Sequence, residues 1–174
     1  MSDTPPPTDS PAESASNPIP DGGRVFLVVL DDSEELRAAL RFACRRAAKT
    51  NGRVALLYVT KPTEFEHWAA VGNLMREEAR EEAEQLLQRY SAEVHEISGE
   101  MPTLYLRGGS RRDQLLSLID EEPSISVLVL AASGGRKGPG PLISFLTGRG
   151  AGQLHVPMTI VPGGLSDKQI DGLT

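Results

Sequence analysis

Continuous apolar runs alternate along the chain with stretches in which apolar residues recur every three or four positions. The runs are short and rich in aliphatic residues, which is typical of strands that are covered on both faces of a parallel sheet. They predict five strands, at residues 24–30, 53–60, 103–107, 127–132 and 158–161.

The stretches with helical spacing lie between these runs. They predict four helices, at about 36–47, 71–97, 110–122 and 142–154. Before the first helix, Asp32 and Glu35 have the spacing of a capping box, and Ser33 is an alternative cap. Ser110 is the predicted cap of the third helix. The last helix contains three glycines, so we expect it to be the least stable of the four.

Strands that alternate with helices predict an α/β fold, with a five-stranded parallel sheet and helices on both faces. The pattern alone does not determine the order of the strands. Residues 1–23 are rich in Pro and Ser and contain few apolar side chains, which predicts a disordered tail. The remaining chain is then one domain, residues 24–163, followed by a short polar tail, residues 164–174.

Composition narrows the classes of function. The net charge of −6 and the aromatic content of 5% disfavour nucleic acid as a partner. No apolar run is long enough to cross a membrane and no signal peptide is apparent, so we expect a cytoplasmic protein. The single cysteine, Cys44, falls in an apolar helical stripe and is interpreted as a core residue.

Motifs for catalysis and metal binding are missing from the sequence. His95 and His155 have no partner at ligand spacing, so we predict no metal site. The glycine-rich loop lacks the Lys-Ser/Thr of a Walker motif, and the chain has no Gly-x-Ser-x-Gly elbow. We therefore expect that the protein is not an enzyme and that slow ATP hydrolysis is not its function.

The fourth predicted strand leads into a glycine-rich loop, residues 133–141, and then into the last helix. Loops between a strand and a helix are where α/β proteins commonly bind anions, because free backbone N–H groups and the helix dipole point there. The loop is the first candidate for a phosphate site.

Three segments at strand ends resemble the universal stress protein family. They are Val28-Val29-Leu30-Asp31-Asp32-Ser33-Glu34, Leu56-Leu57-Tyr58-Val59 and Leu128-Val129-Leu130-Ala131-Ala132-Ser133-Gly134. The resemblance covers nearly all of residues 24–162. It implies the strand order 3-2-1-4-5, as in the adenine-nucleotide α-hydrolase-like folds. It further implies that Asp31 contacts the adenosine of a bound nucleotide, that Val59 contacts the adenine, and that the loop beginning at Ala131 surrounds the phosphates.

Nucleotide-binding members of this family carry the motif Gly-x2-Gly-x9-Gly-Ser/Thr, and two alignments of it are possible here. The literal spacing is met by Gly135, Gly138 and Gly148, with Arg149 in place of the hydroxyl residue. The alignment without gaps between the fourth and fifth strands gives instead Ala131, Gly134, Ser144 and Phe145. We prefer the second alignment because strand ends fix where a phosphate can lie and glycines alone do not.

The preferred alignment implies a degenerate phosphate site. Phe145 has no hydroxyl group, and Pro139 and Pro141 have no backbone N–H to donate. Arg136 and Lys137 could replace these contacts as point charges, or could simply be solvated in an exposed turn. The candidate nucleotide-binding residues are Asp31, Val59, Ala131, Gly134, Gly135, Arg136, Lys137, Gly138 and Ser144.

The resemblance gives the leading hypothesis: a non-catalytic stress-response protein with a weak ATP or AMP site and no metal. It also implies a homodimer that pairs through the fifth strand, 158–161. The alternative hypothesis is a nucleotide-independent dimeric interaction module. That module would bind an unidentified protein through this strand or through the loop that contains Phe65 and Trp68.

Overall fold

The computed structural model describes residues 23–31, 33–60, 69–134 and 138–174, apart from the side chains of 69–74 and 76. The strands are β1 (Val25–Val29), β2 (Arg53–Thr60), β3 (Thr103–Gly108), β4 (Ile125–Ala132) and β5 (Met158–Pro162). The helices are α1 (Leu36–Lys49), α2 (Ala69–Ser98), α3 (Arg111–Glu121), α4 (Pro141–Thr147) and α5 (Asp167–Leu173). A short 3-10 helix, Ala151–Gln153, follows α4. The predicted tail, except Gly23, and the loop with Phe65 and Trp68 lie outside the described residues.

All five strands form one parallel sheet in the order β3-β2-β1-β4-β5. In the register of the sheet, Val28 of β1 lies between Leu56 of β2 and Val129 of β4. The predicted α/β class is confirmed, and so is the strand order that the resemblance implied.

The core has two halves because successive side chains of a strand point to opposite faces of the sheet. Phe26, Val28 and Leu30 pack under α1, α2 and α5, whereas Val25, Leu27 and Val29 pack under α3 and α4. Every residue of β1 is therefore buried, which explains the apolar run without polar alternation.

The predicted N-terminal cap of α3 is confirmed, whereas the alternative cap predicted for α1 is not. Ser110 caps α3 as predicted, since its side chain accepts a hydrogen bond from the backbone N–H of Asp113. For α1 the alternative cap is wrong: Ser33 Oγ donates to the Asp31 carboxylate, and Glu35 precedes the helix without a capping side-chain bond. Asp32 lies outside the described residues.

The prediction of one helix over 142–154 is wrong. α4 ends at Thr147, and Gly148 has non-helical dihedral angles (φ −109°, ψ −111°). The chain then turns through Gly150 into the 3-10 helix. We expected the glycines to make this helix less stable. In the structure, α4 has only seven residues and ends where the glycines begin.

The prediction of a polar tail after residue 163 is also wrong. Residues Asp167–Leu173 form α5, which begins with a capping box between Ser166 and Gln169. Its one buried apolar side chain, Ile170, is 1% exposed in the core half beneath α1. Asp171 then accepts paired hydrogen bonds from Arg41 and Arg45 of α1. These hydrogen bonds hold α5 against α1.

Candidate functional site

The candidate site lies at the carboxyl ends of the strands, beside β1. The chain continues from β1 to strands on one side of it and later returns to strands on its other side. β1 is hydrogen-bonded to β2 on one side and to β4 on the other. In an open parallel sheet, this change of direction leaves a crevice between the loops that follow the two central strands. The crevice here contains two cavities.

The smaller cavity has a volume of about 70 Å³ and lies between the ends of β1 and β4. Asp31, Ser33, Ala131, Pro139 and Gly140 are among its lining residues. The larger cavity has a volume of about 470 Å³ and extends toward β2 and α3. Its lining residues are Val59, Gly109, Ser110, Arg111, Arg112, Pro141, Leu142 and Phe145. Since Arg111, Pro141 and Leu142 line both cavities, the two adjoin.

Asp31 lies directly after β1 and lines the smaller cavity. Its Oδ1 atom accepts hydrogen bonds from the Ser33 backbone N–H at 3.0 Å and from the Ser33 hydroxyl at 2.6 Å. This is a local turn of the kind that Asp side chains form ahead of helices. Asp31 thus fixes the turn into α1 and lines the crevice at the same time.

Val59 lies near the end of β2 and is only 3% exposed. It belongs to the core half beneath α3 and α4, and it forms part of the wall of the larger cavity. Asp31 and Val59 are therefore placed at two adjoining cavities of one crevice.

The candidate residues after β4 have different positions relative to the crevice. Ala131 lines the smaller cavity, but Gly134, Gly138 and Ser144 are not among the described lining residues of either cavity. Ser144 Oγ donates to the carbonyl oxygen of Gly140 at 2.8 Å, at the start of α4. Gly135, Arg136 and Lys137 lie outside the described residues.

Backbone conformation explains why two glycines are used in this loop. Gly138 and Gly140 have φ angles of +77° and +95°, in the left-handed region that other residues rarely adopt. Pro139 lies between them and Pro141 follows, so neither proline offers an N–H to a ligand.

The sequence interpretation missed the two arginines of the larger cavity. Arg111 and Arg112 follow the Gly108-Gly109-Ser110 turn after β3. Arg112 places its guanidinium carbon 4.6 Å from the centre of the Phe145 ring, a cation–π contact. Arg112 Nε also lies 3.2 Å from Asp113 Oδ1. The pKa of Asp113 is lowered because its carboxylate interacts with Ser110 and with Arg112. The strand-end argument used for β1, β2 and β4 would have found these arginines if it had been applied to β3.

The part of the chain that the structure describes has neither a metal-binding cluster nor a membrane-spanning helix. No group of three or more His, Cys, Asp or Glu residues has a metal-binding arrangement there. None of the described helices is both long enough and apolar enough to cross a membrane.

Comparison with known proteins gives a consistent result. The model of the universal stress protein family matches residues 23–162. A search of the curated proteins found no match.

Several solved structures are similar to this chain at low sequence identity. Universal stress protein UspA from Lactobacillus plantarum has a TM-score of 0.66 and 17% identity, over 79% of this chain and 97% of that one. A universal stress protein in complex with cAMP has a TM-score of 0.55 and 15% identity, over 82% and 99%. The universal stress protein from Archaeoglobus fulgidus in complex with dAMP has a TM-score of 0.51 and 18% identity, over 79% and 97%. These similarities establish the fold.

Proposed function

The chain belongs to the universal stress protein family, and from this premise we propose that it is a non-catalytic regulatory protein that binds an adenine nucleotide weakly. The proposal is carried by the larger cavity at the carboxyl ends of the strands. Its volume of about 470 Å³ falls within the range of roughly 300–1,000 Å³ that is usual for small-molecule sites. Val59, Leu142 and Phe145 give it apolar walls, and Arg111 and Arg112 add positive charge. An apolar ring with an attached anion suits this lining.

The ligands of similar proteins support the choice of an adenine nucleotide. Two universal stress proteins with the same fold are complexes with cAMP and with dAMP. The positions that the resemblance assigns to the nucleoside, Asp31 and Val59, lie at the adjoining cavities of one crevice.

We expect weak nucleotide binding because the loop after β4, where the family motif would bind the phosphates, offers little room and few hydrogen-bond donors. The smaller cavity holds only about 70 Å³, and the two prolines beside it donate no hydrogen bonds. The Ser144 hydroxyl is bound to the Gly140 carbonyl oxygen instead of facing this cavity. We therefore expect dissociation constants between about 1 μM and 1 mM.

The absence of catalysis is a separate part of the proposal. Phosphoryl transfer requires Mg²⁺ and a group that positions the nucleophile. The Ser144 hydroxyl, the nearest candidate for a metal ligand in the preferred motif alignment, is bound at the start of α4. Incubation of the protein with ATP and Mg²⁺ should release phosphate no faster than buffer alone.

Calorimetric titration with ATP and AMP tests the binding proposal. Submicromolar ATP binding would contradict the weak site, and the absence of binding at millimolar nucleotide would remove the nucleotide function. Asp31→Ala should weaken nucleotide binding. Asp120→Ala is the matched control, because Asp120 is an exposed carboxylate that lines neither cavity.

A second candidate function is a nucleotide-independent dimer that acts as an interaction module. It is favoured by β5, which lies at the edge of the sheet and leaves Ile160 38% exposed. An edge strand with an exposed apolar side chain can pair with a second copy of itself. Under either function we propose a cytoplasmic location, which the buried free thiol of Cys44 supports.

A further inference from the structure

We infer that the crevice selects a nucleoside monophosphate over a triphosphate. Arg111 and Arg112 would hold the single phosphate from the β3–α3 side, and Phe145 would contact the base. The inference rests on the proposed function, since it assumes that the crevice binds a nucleotide. It differs from the phosphate position that the glycine-rich loop after β4 suggests.

Arg111 is the residue best placed to bind an anion. It is half-buried and lines both cavities, so a ligand that occupied both cavities would contact it. Its side chain forms no hydrogen bond or ion pair with any residue that the structure describes. A guanidinium group presents paired N–H donors that match two oxygens of one phosphate. Its donors are therefore available to a ligand in the free protein.

Arg112 and Phe145 form a stacked pair beside Arg111. The guanidinium of Arg112 lies over the Phe145 ring at 4.6 Å, and its Nε contacts Asp113. The remaining guanidinium nitrogens keep their donors for a phosphate, while the uncovered face of the guanidinium and the edge of the Phe145 ring offer contacts for a base. Val59 and Leu142 complete an apolar pocket around this pair. The larger cavity thus provides charged donors for the phosphate and an apolar lining for the base of a nucleoside monophosphate.

The smaller cavity disfavours additional phosphates. Its volume of about 70 Å³ is far below the about 470 Å³ of the larger cavity, so it offers less room for a phosphate chain. Arg111 is the one cationic side chain among the described residues that line it. Asp31 also lines this cavity, and its negative charge would repel the second and third phosphates of ATP. Added phosphates would gain little and would meet a negative charge.

Titration of the full chain with adenosine, AMP and ATP at constant ionic strength tests the inference. AMP should bind about tenfold or more tightly than adenosine, because it adds charge-assisted hydrogen bonds to the arginines. ATP should bind no more tightly than AMP.

Two substitutions locate the phosphate. Arg111→Gln should lower the affinity for AMP about tenfold and leave the affinity for adenosine unchanged. Retained adenosine binding shows that the variant is folded at the site. Arg24→Gln removes the same charge at the opposite end of β1 and should change neither affinity. Arg111→Lys, which keeps the charge without the paired donors, should fall between the wild type and Arg111→Gln.

The outcomes separate this inference from the function on which it rests. If AMP binds and Arg111→Gln binds it equally well, or if ATP binds more tightly than AMP, the inference is overturned and nucleotide binding stands. If none of the three ligands binds at millimolar concentration, both the nucleotide function and the inference are overturned.

Discussion

The aromatic ring of Phe145 occupies the space that a side chain on residue 150 would need. A Cβ atom added to Gly150 would lie 2.6 Å from Cζ and 2.8 Å from Cδ1 of this ring. Gly150 is buried, and its backbone N–H donates to the Phe145 carbonyl oxygen at 2.9 Å. The glycine therefore leaves room beside the turn after α4 for the ring on which the guanidinium of Arg112 lies.

Gly150→Ala should displace the ring, and with it the wall of the larger cavity. Overpacking of this kind typically costs about 1–3 kcal/mol in the free energy of unfolding. We expect a loss of that size in urea denaturation, together with weaker AMP binding. Gly152→Ala is the matched control, because a Cβ there would meet no atom within 4 Å. Equal stability of the two variants would show that the ring is not held by this contact.

The architecture could be predicted from the sequence because the central strands β2, β1 and β4 are largely buried on both faces. The run Val25–Val29 contains only apolar residues, which is typical of a strand buried on both faces. The order of the strands could not be derived from such runs, since they carry no information on which strands are neighbours. It came from the likeness of the strand ends around Asp31 and Val59 to one family.

The errors arose where short-range pattern carries little information. α5 buries a single apolar side chain, Ile170, and is docked by Asp171 on arginines about 130 residues away in sequence. Such a contact leaves no periodicity to detect. In the site, Arg111 and Arg112 follow the end of β3, a strand to which the resemblance assigned no ligand contact.

Asp171→Asn should loosen α5 from α1. The Asp171 carboxylate accepts two hydrogen bonds from Arg41, at 2.7 and 2.8 Å, and two from Arg45, at 2.8 and 3.0 Å. Hydrogen–deuterium exchange of the α5 amides should therefore become faster in the variant. Asp167→Asn is the control, since that exposed carboxylate makes one contact with Arg41 at 3.2 Å. Equal exchange in the two variants would contradict a docking role for Asp171.

The carboxyl group of Glu121 should titrate far below the usual range. Hydrogen bonds from Arg107, and then from Ser117, lower its pKa from 4.5 to about 2. Because the pKa is lower in the folded state, the stabilisation is fully present above pH 4.5 and is lost as the pH falls toward 2. Carbon NMR of the side-chain carboxyl should show a midpoint near pH 2 in the wild type. Arg107→Gln should raise that midpoint, and a wild-type midpoint near 4.5 would contradict the ion pair.

Cys44 should react with thiol reagents only through unfolding. The thiol is fully buried, and burial, with a smaller effect of Glu93, raises its pKa to about 12. A pKa raised in the folded state stabilises the protein below pH 9, and this contribution is lost as the pH rises toward 12. The difference in unfolding free energy between wild type and Cys44→Ala should shrink by about 1–2 kcal/mol between about pH 7.5 and 10.5. Rapid modification of the native thiol at neutral pH would contradict this.

Ile160→Lys should separate the proposed dimer into monomers. Ile160 is 38% exposed on the edge strand β5, and a charge there would be buried without a partner when two copies pair. Sedimentation velocity should show a dimer for the wild type and a monomer for the variant. Leu104→Lys is the control, because Leu104 is 42% exposed on the opposite edge strand, β3. A wild-type monomer, or dissociation by Leu104→Lys alone, would exclude β5 as the dimer contact.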